Sequence, residues 1–380
     1  MVSLADSRLR LGGPFGDALR RTEARTMVVD AEGNEWMLPV DRMVDTGDYA
    51  LDLEDAVGAF AAPVREHRFD VGTGMQLAFT LDGGVNDTVV EGMRLQQRLG
   101  RHELEFGYQA DPRASLGLIG ERGLELGDLP MLDAVASPFV GMADEEAMSL
   151  GYGLRVSESV TTRIASFYGR DHEDSETDAF GTIGELGYAL RPGTRLSVQL
   201  GMLLERDTFL GSEVSGAFGS NEATPTYFGG LHIAQDLGDR LTMVGALHQG
   251  LSTPTADDGA LLSDFDTIRT EAYSVGLLGR DILDLSDRVG FFISQPIRVS
   301  DGSAGLDVAT ARTVDGVVRR ATVREGLSPS GREIAFQAFY SKPLSERTDM
   351  GFAFAWRDDP GHVDDADDEL VLMLRGRTSW

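Results

Sequence analysis

Six histidines, His67, His102, His172, His232, His248 and His362, are the side chains of this sequence that titrate nearest neutral pH, and there is no cysteine to act as a thiolate. A Ser/His/Asp triad needs one of these imidazoles beside an activated serine. Ser330, within Pro329-Ser330-Gly331-Arg332, lacks the flanking glycine of a GxSxG elbow. Asp171-His172 has the composition of an acid–base pair, but it sits in a polar, acidic stretch where a solvated loop pair is the simpler reading. His248 falls on the polar face of an alternating segment, which suits a structural role. The glycines from Gly211 to Gly219 have neither the lysine nor the following helix of a phosphate loop. Asp358-Asp359 and Asp364 to Asp368 would attract divalent cations, but without EF-hand spacing they read as a solvated acidic loop. No residue is therefore assigned to catalysis, to a cofactor or to a metal, and the segment is expected not to be an enzyme.

Composition narrows the partners. Sixty-two acidic residues against 34 basic ones leave a formal net charge of −28, which excludes nucleic acid as the expected ligand. The absence of cysteine excludes disulfides, zinc ribbons and cysteine-ligated clusters. Glycine, at 46 of 380 residues, is well above its average share of about 7% and points to strands and turns. The longest clean apolar run, Val57 to Val64, is far short of the ~20 residues of a membrane helix. The opening Met1 to Gly13 has no apolar signal core, so it reads as the start of a cytosolic chain or of a segment excised from a longer one.

The elements that would position any site are of two kinds. Thr26 to Val29 and Trp36 to Val40 flank Ala31-Glu32-Gly33-Asn34 and predict a hairpin. Leu53, Val57 and Phe60 fall at helical spacing, and Pro63 ends the pattern, so 51–62 predicts a short amphipathic helix. From Arg68 onward the period is two. Phe69, Val71, Thr73, Met75, Leu77, Phe79 and Leu81 share one face of what reads as a single strand. Leu196, Val198, Leu200, Met202 and Leu204 oppose Arg195, Ser197, Gln199, Gly201 and Glu205; Met350, Phe352, Phe354 and Trp356 oppose Gly351, Ala353, Ala355 and Arg357. Short turns (Leu237-Gly-Asp-Arg-Leu, Leu285-Ser-Asp-Arg-Val, Leu344-Ser-Glu-Arg-Thr) alternate with long acidic connections, and Val308 to Val323 has room for an extra hairpin.

An all-β, antiparallel transmembrane barrel of about 12–14 strands, each about ten residues long, satisfies this pattern. A soluble β-domain is the alternative that periodicity alone leaves open. In the barrel, the polar faces line the lumen with Arg94, Arg98, Glu103, Glu105, Arg155, Arg163, Glu185, Glu205, Glu333 and Arg357. Tyr108, Tyr152, Tyr168, Tyr188, Tyr227, Tyr273, Tyr340 and Trp356 stand near strand ends, where interfacial girdles lie. The last strand, 369–380, alternates through Leu370, Leu372 and Leu374 to a terminal Trp380 and must pair with the first to remove both sheet edges. The expected division is 1–50 as a passenger-end segment, 51–66 as a lumen helix and linker (Leu53, Val57, Phe60), and 67–380 as the barrel.

The order of four short motifs carries a resemblance. Phe292-Ile-Ser-Gln-Pro-Ile-Arg-Val299, Leu327-Ser-Pro-Ser-Gly-Arg-Glu-Ile334, Tyr340-Ser-Lys-Pro-Leu344 and Trp356-Arg-Asp-Asp-Pro-Gly-His362 follow one another. This succession resembles the C-terminal region of autotransporter-like, subtilisin-type serine peptidases of alphaproteobacteria. Leu9-Arg-Leu-Gly-Gly-Pro-Phe-Gly-Asp-Ala-Leu19, followed by Val28 to Asn34, is similar to their join between passenger and barrel.

The resemblance implies a translocator and anchor in the bacterial outer membrane, carrying an N-terminal passenger domain. Outer-membrane lipid, lipopolysaccharide and the barrel-assembly machinery are its implied partners, and Leu372, Leu374 and Trp380 its implied assembly signal. The catalytic domain of such peptidases is not within this sequence, so none of its residues carries over. A porin-like diffusion channel is the alternative use of the same barrel.

Overall fold

The computed structural model describes residues 9–46, 65–83, 88–109, 116, 137–142, 147–170, 178–206, 208–214, 216–218, 223–256, 259–345 and 348–378. Four short strands come first: β1 (Leu9–Leu11), β2 (Arg25–Val29), β3 (Glu35–Pro39) and β4 (Val44–Thr46). Longer strands follow: β5 (Arg65–Gly72), β6 (Met75–Gly83), β7 (Thr88–Leu99), β8 (His102–Tyr108), β9 (Met148–Arg155), β10 (Val160–Arg170), β11 (Asp178–Arg191) and β12 (Thr194–Arg206). Next come β13 (Thr208–Phe209), β14 (Ser212–Val214), β15 (Thr224–Asp236), β16 (Leu241–Ser252), β17 (Leu262–Ser263) and β18 (Ile268–Arg280). The chain closes with β19 (Arg288–Asp301), β20 (Ser303–Arg312), β21 (Val318–Gly326), β22 (Ile334–Ser345), β23 (Thr348–Asp358) and β24 (Glu369–Thr378). Among the described residues a short α-helix, α1 (Pro138–Gly141), lies between β8 and β9. No helix among the described residues is long and apolar enough to cross a membrane.

Fifteen strands form one sheet in the order β24-β23-β22-β19-β18-β16-β15-β12-β11-β10-β9-β8-β7-β6-β5. Each neighbouring pair is antiparallel, as period-two alternation with one polar face requires. The expected antiparallel all-β class is therefore present. The hairpin expected around Ala31 to Asn34 is β2–β3, and the extra hairpin within 308–323 is β20–β21.

Two expectations need revision. The single strand drawn through Arg68 to Leu81 is a hairpin, β5–β6, turning at Gly72, Thr73 and Gly74, all at positive φ (90°, 54° and 77°). Phe69 pairs with Leu77, so the apolar alternation continues in phase across the turn and hides it. The split puts a fifteenth strand in the sheet. Because fifteen strands alternate in direction, the two edges β5 and β24 run the same way, and among the described residues no pairing joins them. The lumen helix expected from Leu53, Val57 and Phe60, and the terminal Trp380, lie outside the described residues.

Glycine has a packing role in the sheet. Phe167, Phe228, Phe292 and Phe339 are buried opposite Gly181, Gly201, Gly276 and Gly290 on neighbouring strands. Each ring lies across its glycine, where a Cβ would overlap it.

The register assigns the two ends. The connections 72–75, 99–102, 155–160, 191–194, 236–241, 280–288 and 345–348 share one end. The longer ones, 108–148, 206–224, 252–268, 301–334 and 358–369, share the other. The N-terminal strands join the long-loop end, where β1 pairs with β14 and β4, and β17, β20 and β21 form a small sheet beside them.

Candidate functional site

The sheet's two faces have exchanged their usual roles. Leu150, Ile164, Leu186, Val198, Leu200, Leu231 and Leu247 are exposed, Leu200 at 69%, while Ser197 and Gln199 on β12, His232 on β15 and His248 on β16 are buried. Tyr108, Tyr152, Tyr188, Tyr227 and Tyr273 share the exposed apolar face. Leu372 and Leu374 face outward on β24 as well.

Eight of the ten charges assigned to the polar face pair among themselves. Arg94 meets Glu105 at 3.2 Å, Arg98 meets Glu103 at 2.9 Å, Arg163 meets Glu185 at 3.6 Å and Arg357 meets Glu333 at 2.7 Å. Glu205 accepts hydrogen bonds from the backbone N–H groups of Leu210 (3.0 Å) and Gly211 (3.1 Å), so it holds a loop. Arg155 lies exposed at the end of β9.

Motifs scattered along the sequence meet at the long-loop end. The 3-10 turn at Gly13–Phe15 brings Gly16 (φ 50°) against the loops. A Cβ at Gly16 would lie 2.6 Å from the Gly361 carbonyl oxygen and 2.8 Å from Pro329 Cβ, so the approach requires glycine. Asp17 Oδ1 accepts from the Ser330 N–H at 2.8 Å, and Arg21 donates to the Ser328 carbonyl at 3.1 Å. Thr22 donates to Glu325 at 2.6 Å, and the Ala309 N–H donates to Thr26 Oγ1 at 3.2 Å.

Beneath this contact, Glu333 takes two hydrogen bonds from Arg357 (2.7 and 2.9 Å) and one from the Gly361 N–H (2.8 Å). Arg357 also reaches Glu369 at 2.6 Å. Arg298 donates to the carbonyls of Gly331 (2.9 Å) and Pro329 (3.2 Å), and Arg332 donates to Gln295. The segments around Gln295, Ser330, Arg357 and His362 are thus one hydrogen-bonded junction, with the Leu9 to Leu19 segment docked on it.

His362 is its crosspiece. Nδ1 accepts from the Glu333 N–H at 2.9 Å, which leaves Nε2 to donate to the Ile297 carbonyl at 3.0 Å. Burial, opposed by nearby Glu333, lowers its pKa to about 4, so the ring is neutral at pH 7. Ser330 Oγ accepts from the Asp364 N–H at 2.9 Å, and both nitrogens of His362 are committed elsewhere. The arrangement holds loops in place; it has no general base aimed at Ser330 among the described hydrogen bonds. The pair Asp171-His172 lies outside the described residues. Among the described residues no three His, Asp or Glu side chains converge as a metal site, the acidic loop at Asp364 to Asp368 included.

A second feature escaped the sequence reading. Leu9, Leu11, Phe15, Phe209 and Phe218 from the N-terminal segment and loops form one buried cluster with Phe167, Ile183, Leu203 and Phe228 of the sheet. From α1, Phe139 stacks on Phe228 with ring centroids 4.8 Å apart and fills the space over Gly250. These residues come from loops without periodicity, so the sole signal was the density of phenylalanine in otherwise polar, glycine-rich connections.

Neither a protein-family model nor a curated protein sequence matches the chain. Among solved structures, it is similar to outer-membrane expressed OmpT of Vibrio cholerae (9% identity, 82% of this chain and 87% of that one, TM-score 0.46). It is also similar to an anion-selective porin from Comamonas acidovorans (13% identity, 82% and 87%, TM-score 0.42). A third is OprB of Pseudomonas putida (12% identity, 80% and 76%, TM-score 0.41). Scores this low leave the functional reading to the geometry of the chain itself.

Proposed function

We propose that the chain is the outer-membrane β-barrel translocator and anchor of an autotransporter-like protein, without chemistry of its own in this segment. The observation that supports a membrane location most directly is the inverted sheet: leucines, valines and tyrosines outward, ion pairs and amides inward. In water that exposure is unfavourable at about 25 cal/mol per Å² of apolar surface; in hydrocarbon it is what a spanning strand needs. Closure follows from the same setting, because an open sheet edge in lipid leaves backbone groups without partners. An antiparallel seam is available between β24 and β6 with β5 displaced, which gives the even strand number of bacterial barrels. Pairing of β24 with β5 would be parallel.

The translocator role is supported by where the N-terminal segment sits. Its Leu9 to Leu19 stretch docks on the long-loop junction, so a passenger preceding it would emerge on the loop side. Lipid and lipopolysaccharide are the partners of the apolar belt, and the barrel-assembly machinery that of the C-terminal strand. A diffusion channel would use the same polar inner face, but the apolar cluster around Phe139, Phe209 and Phe228 fills the loop end.

Conductance of the purified chain in planar lipid bilayers tests the reading. The translocator should show little steady conductance, rising when Phe139→Ala thins the cluster. A large, steady conductance of the unmodified protein would make it a diffusion channel. A chain that stays monodisperse without detergent, with one gel mobility boiled or unboiled, would make it a soluble β-domain.

A further inference from the structure

The turn between β18 and β19 hides its polar groups and shows its apolar ones. It carries three carboxylates, Asp281, Asp284 and Asp287, and three apolar side chains, Ile282, Leu283 and Leu285. The buried Asp287 carboxylate accepts from the backbone N–H groups of Ile282 (2.7 Å), Leu283 (2.8 Å) and Asp284 (2.8 Å). Asp284 accepts from the Leu285 N–H at 2.7 Å, and Asp281 from the Ser286 N–H at 2.5 Å. The N–H groups of Asp281 and Asp287 go to the carbonyls of Asp287 (3.0 Å) and Asp284 (3.4 Å). Every backbone N–H from Asp281 to Asp287 is thus bonded within the turn. These bonds fix its shape, and in that shape Leu283 and Leu285 stand 76% and 77% exposed.

The turn also leans toward one face of the sheet. A Cβ at Gly279 would lie 2.6 Å from Ile282 Cγ1 and 2.8 Å from Val289 Cγ1, so Ile282 covers Gly279. Steps of two along β18 lead from Gly279 to Leu277, Val275 and Tyr273, all on the exposed apolar face. Leu241, Gly279, Val289 and Tyr340 form one row of that face across β16, β18, β19 and β22. Lys342, two residues beyond Tyr340, lies on the same side and pairs with Asp284. The turn therefore continues the apolar belt past its last row, with an ion pair beside it.

We propose that this turn is an interfacial anchor for a phospholipid leaflet. Leu283 and Leu285 enter the acyl-chain boundary on the short-turn side, and the Asp284–Lys342 pair lies at headgroup level, where a lysine stem can rest on apolar surface with its ammonium in the polar layer. The inference rests on the membrane location argued above and adds a depth to it. Backbone that enters a lipid boundary must satisfy its own donors, as this turn does. Continuity with the belt selects lipid as the occupant. A stable protein partner takes about 800 Å² from each side, more than two leucines supply.

The absence of cysteine makes the test direct. Leu283→Cys and Leu285→Cys, each in the full chain, are labelled with a nitroxide and reconstituted into phosphatidylethanolamine/phosphatidylglycerol vesicles. Electron paramagnetic resonance then compares collision with oxygen, which concentrates in lipid, and with a water-soluble nickel chelate. Leu200→Cys is the lipid reference, and Asp239→Cys, in the β15–β16 turn, the water reference. The oxygen-to-nickel ratio at 283 and 285 should stand about threefold or more above that at 239 and below that at 200, as for side chains seated at the headgroup–acyl boundary. Ratios at both positions equal to that at 239, with 200 still in lipid, would put the turn in water and overturn the anchor while leaving the membrane location intact. A water-like ratio at 200 would overturn both. Labels shielded from oxygen and nickel alike would mean that the leucines are buried against protein, and the anchor fails. Heat-shifted gel mobility shows that a variant has folded, and either leucine position decides the question alone.

Discussion

On the strands, Leu200 and Leu247 face outward while Gln199 and His248 are buried; at the long-loop end, Leu9, Phe15 and Phe209 are buried while Arg10 and Glu213 pair at the surface at 3.8 Å. One chain thus follows two opposite rules for its apolar residues within a short distance. Hydrocarbon around the strands and water around the loops account for both, because burial is set by the surrounding solvent and not by residue type. The difference also separates what holds each region together. The strands depend on ladder hydrogen bonds and inward ion pairs, and the loop end on an apolar core with a polar junction beneath it.

The largest effect is expected where the two regions join. Arg357→Ala would leave Glu333 and Glu369 without their shared guanidinium, with Glu333 buried. Breaking a buried pair by removing one partner costs about 3–5 kcal/mol. The loop end should loosen first, seen as faster hydrogen exchange or proteolysis at Leu9 to Leu19 before heat-shifted gel mobility is lost. Simultaneous loss of both signals would mean that the two regions unfold as one.

Next is a charge on the outer face. Leu200→Arg should cost about 2–4 kcal/mol if this part of β12 lies near the middle of a bilayer. The same exchange at exposed Leu190, on the short-turn side, should cost about 1 kcal/mol or less. Equal, small effects in a refolding titration would remove the hydrocarbon from the comparison.

Acid should act on the loop end through His362. His362 is held neutral by burial, with its pKa lowered from 6.5 to about 4. A depressed pKa of this kind contributes stability that is complete above pH 6.5 and is lost as pH falls toward 4; by pH 5 the loss is about 2 kcal/mol. Protection of the Leu9 to Leu19 segment should therefore fall between pH 6.5 and 5. A pH-independent segment would show that His362 is not its crosspiece.

The sequence made the strands legible and the junction only half so. Alternation through Leu196 to Leu204 placed both faces of β12, because a fifteen-strand sheet repeats one rule along its length. It hid the β5–β6 turn because Phe69 and Leu77 remain on one face when the chain reverses, and only the Gly72-Thr73-Gly74 triplet signalled the reversal. The motif segments at Gln295, Ser330 and His362 were visible as motifs, but their meeting with Asp17 spans more than three hundred residues and leaves no periodic trace. The apolar cluster was missed for the same reason: Phe139 and Phe209 sit in connections with no repeating pattern, and their partners are set by how the loops fold back on the strands.

The smallest effect separates a loop clasp from a reaction centre. Ser330 is the residue whose surroundings come nearest to those of a nucleophile, with Asp17 and His362 both at the junction. Yet its N–H is given to Asp17, its Oγ receives the Asp364 N–H, and His362 bonds Glu333 and Ile297. Ser330→Ala removes one acceptor at a partly exposed site and should cost about 1 kcal/mol. Asp17→Ala, which releases the Ser330 N–H, should loosen the N-terminal segment to a similar degree, and the double variant should lose somewhat less than the two effects summed because both act on one loop. Hydrolysis of peptide or ester substrates by the unmodified chain, abolished by Ser330→Ala at unchanged loop protection, would turn the clasp into an active site and reverse this assignment.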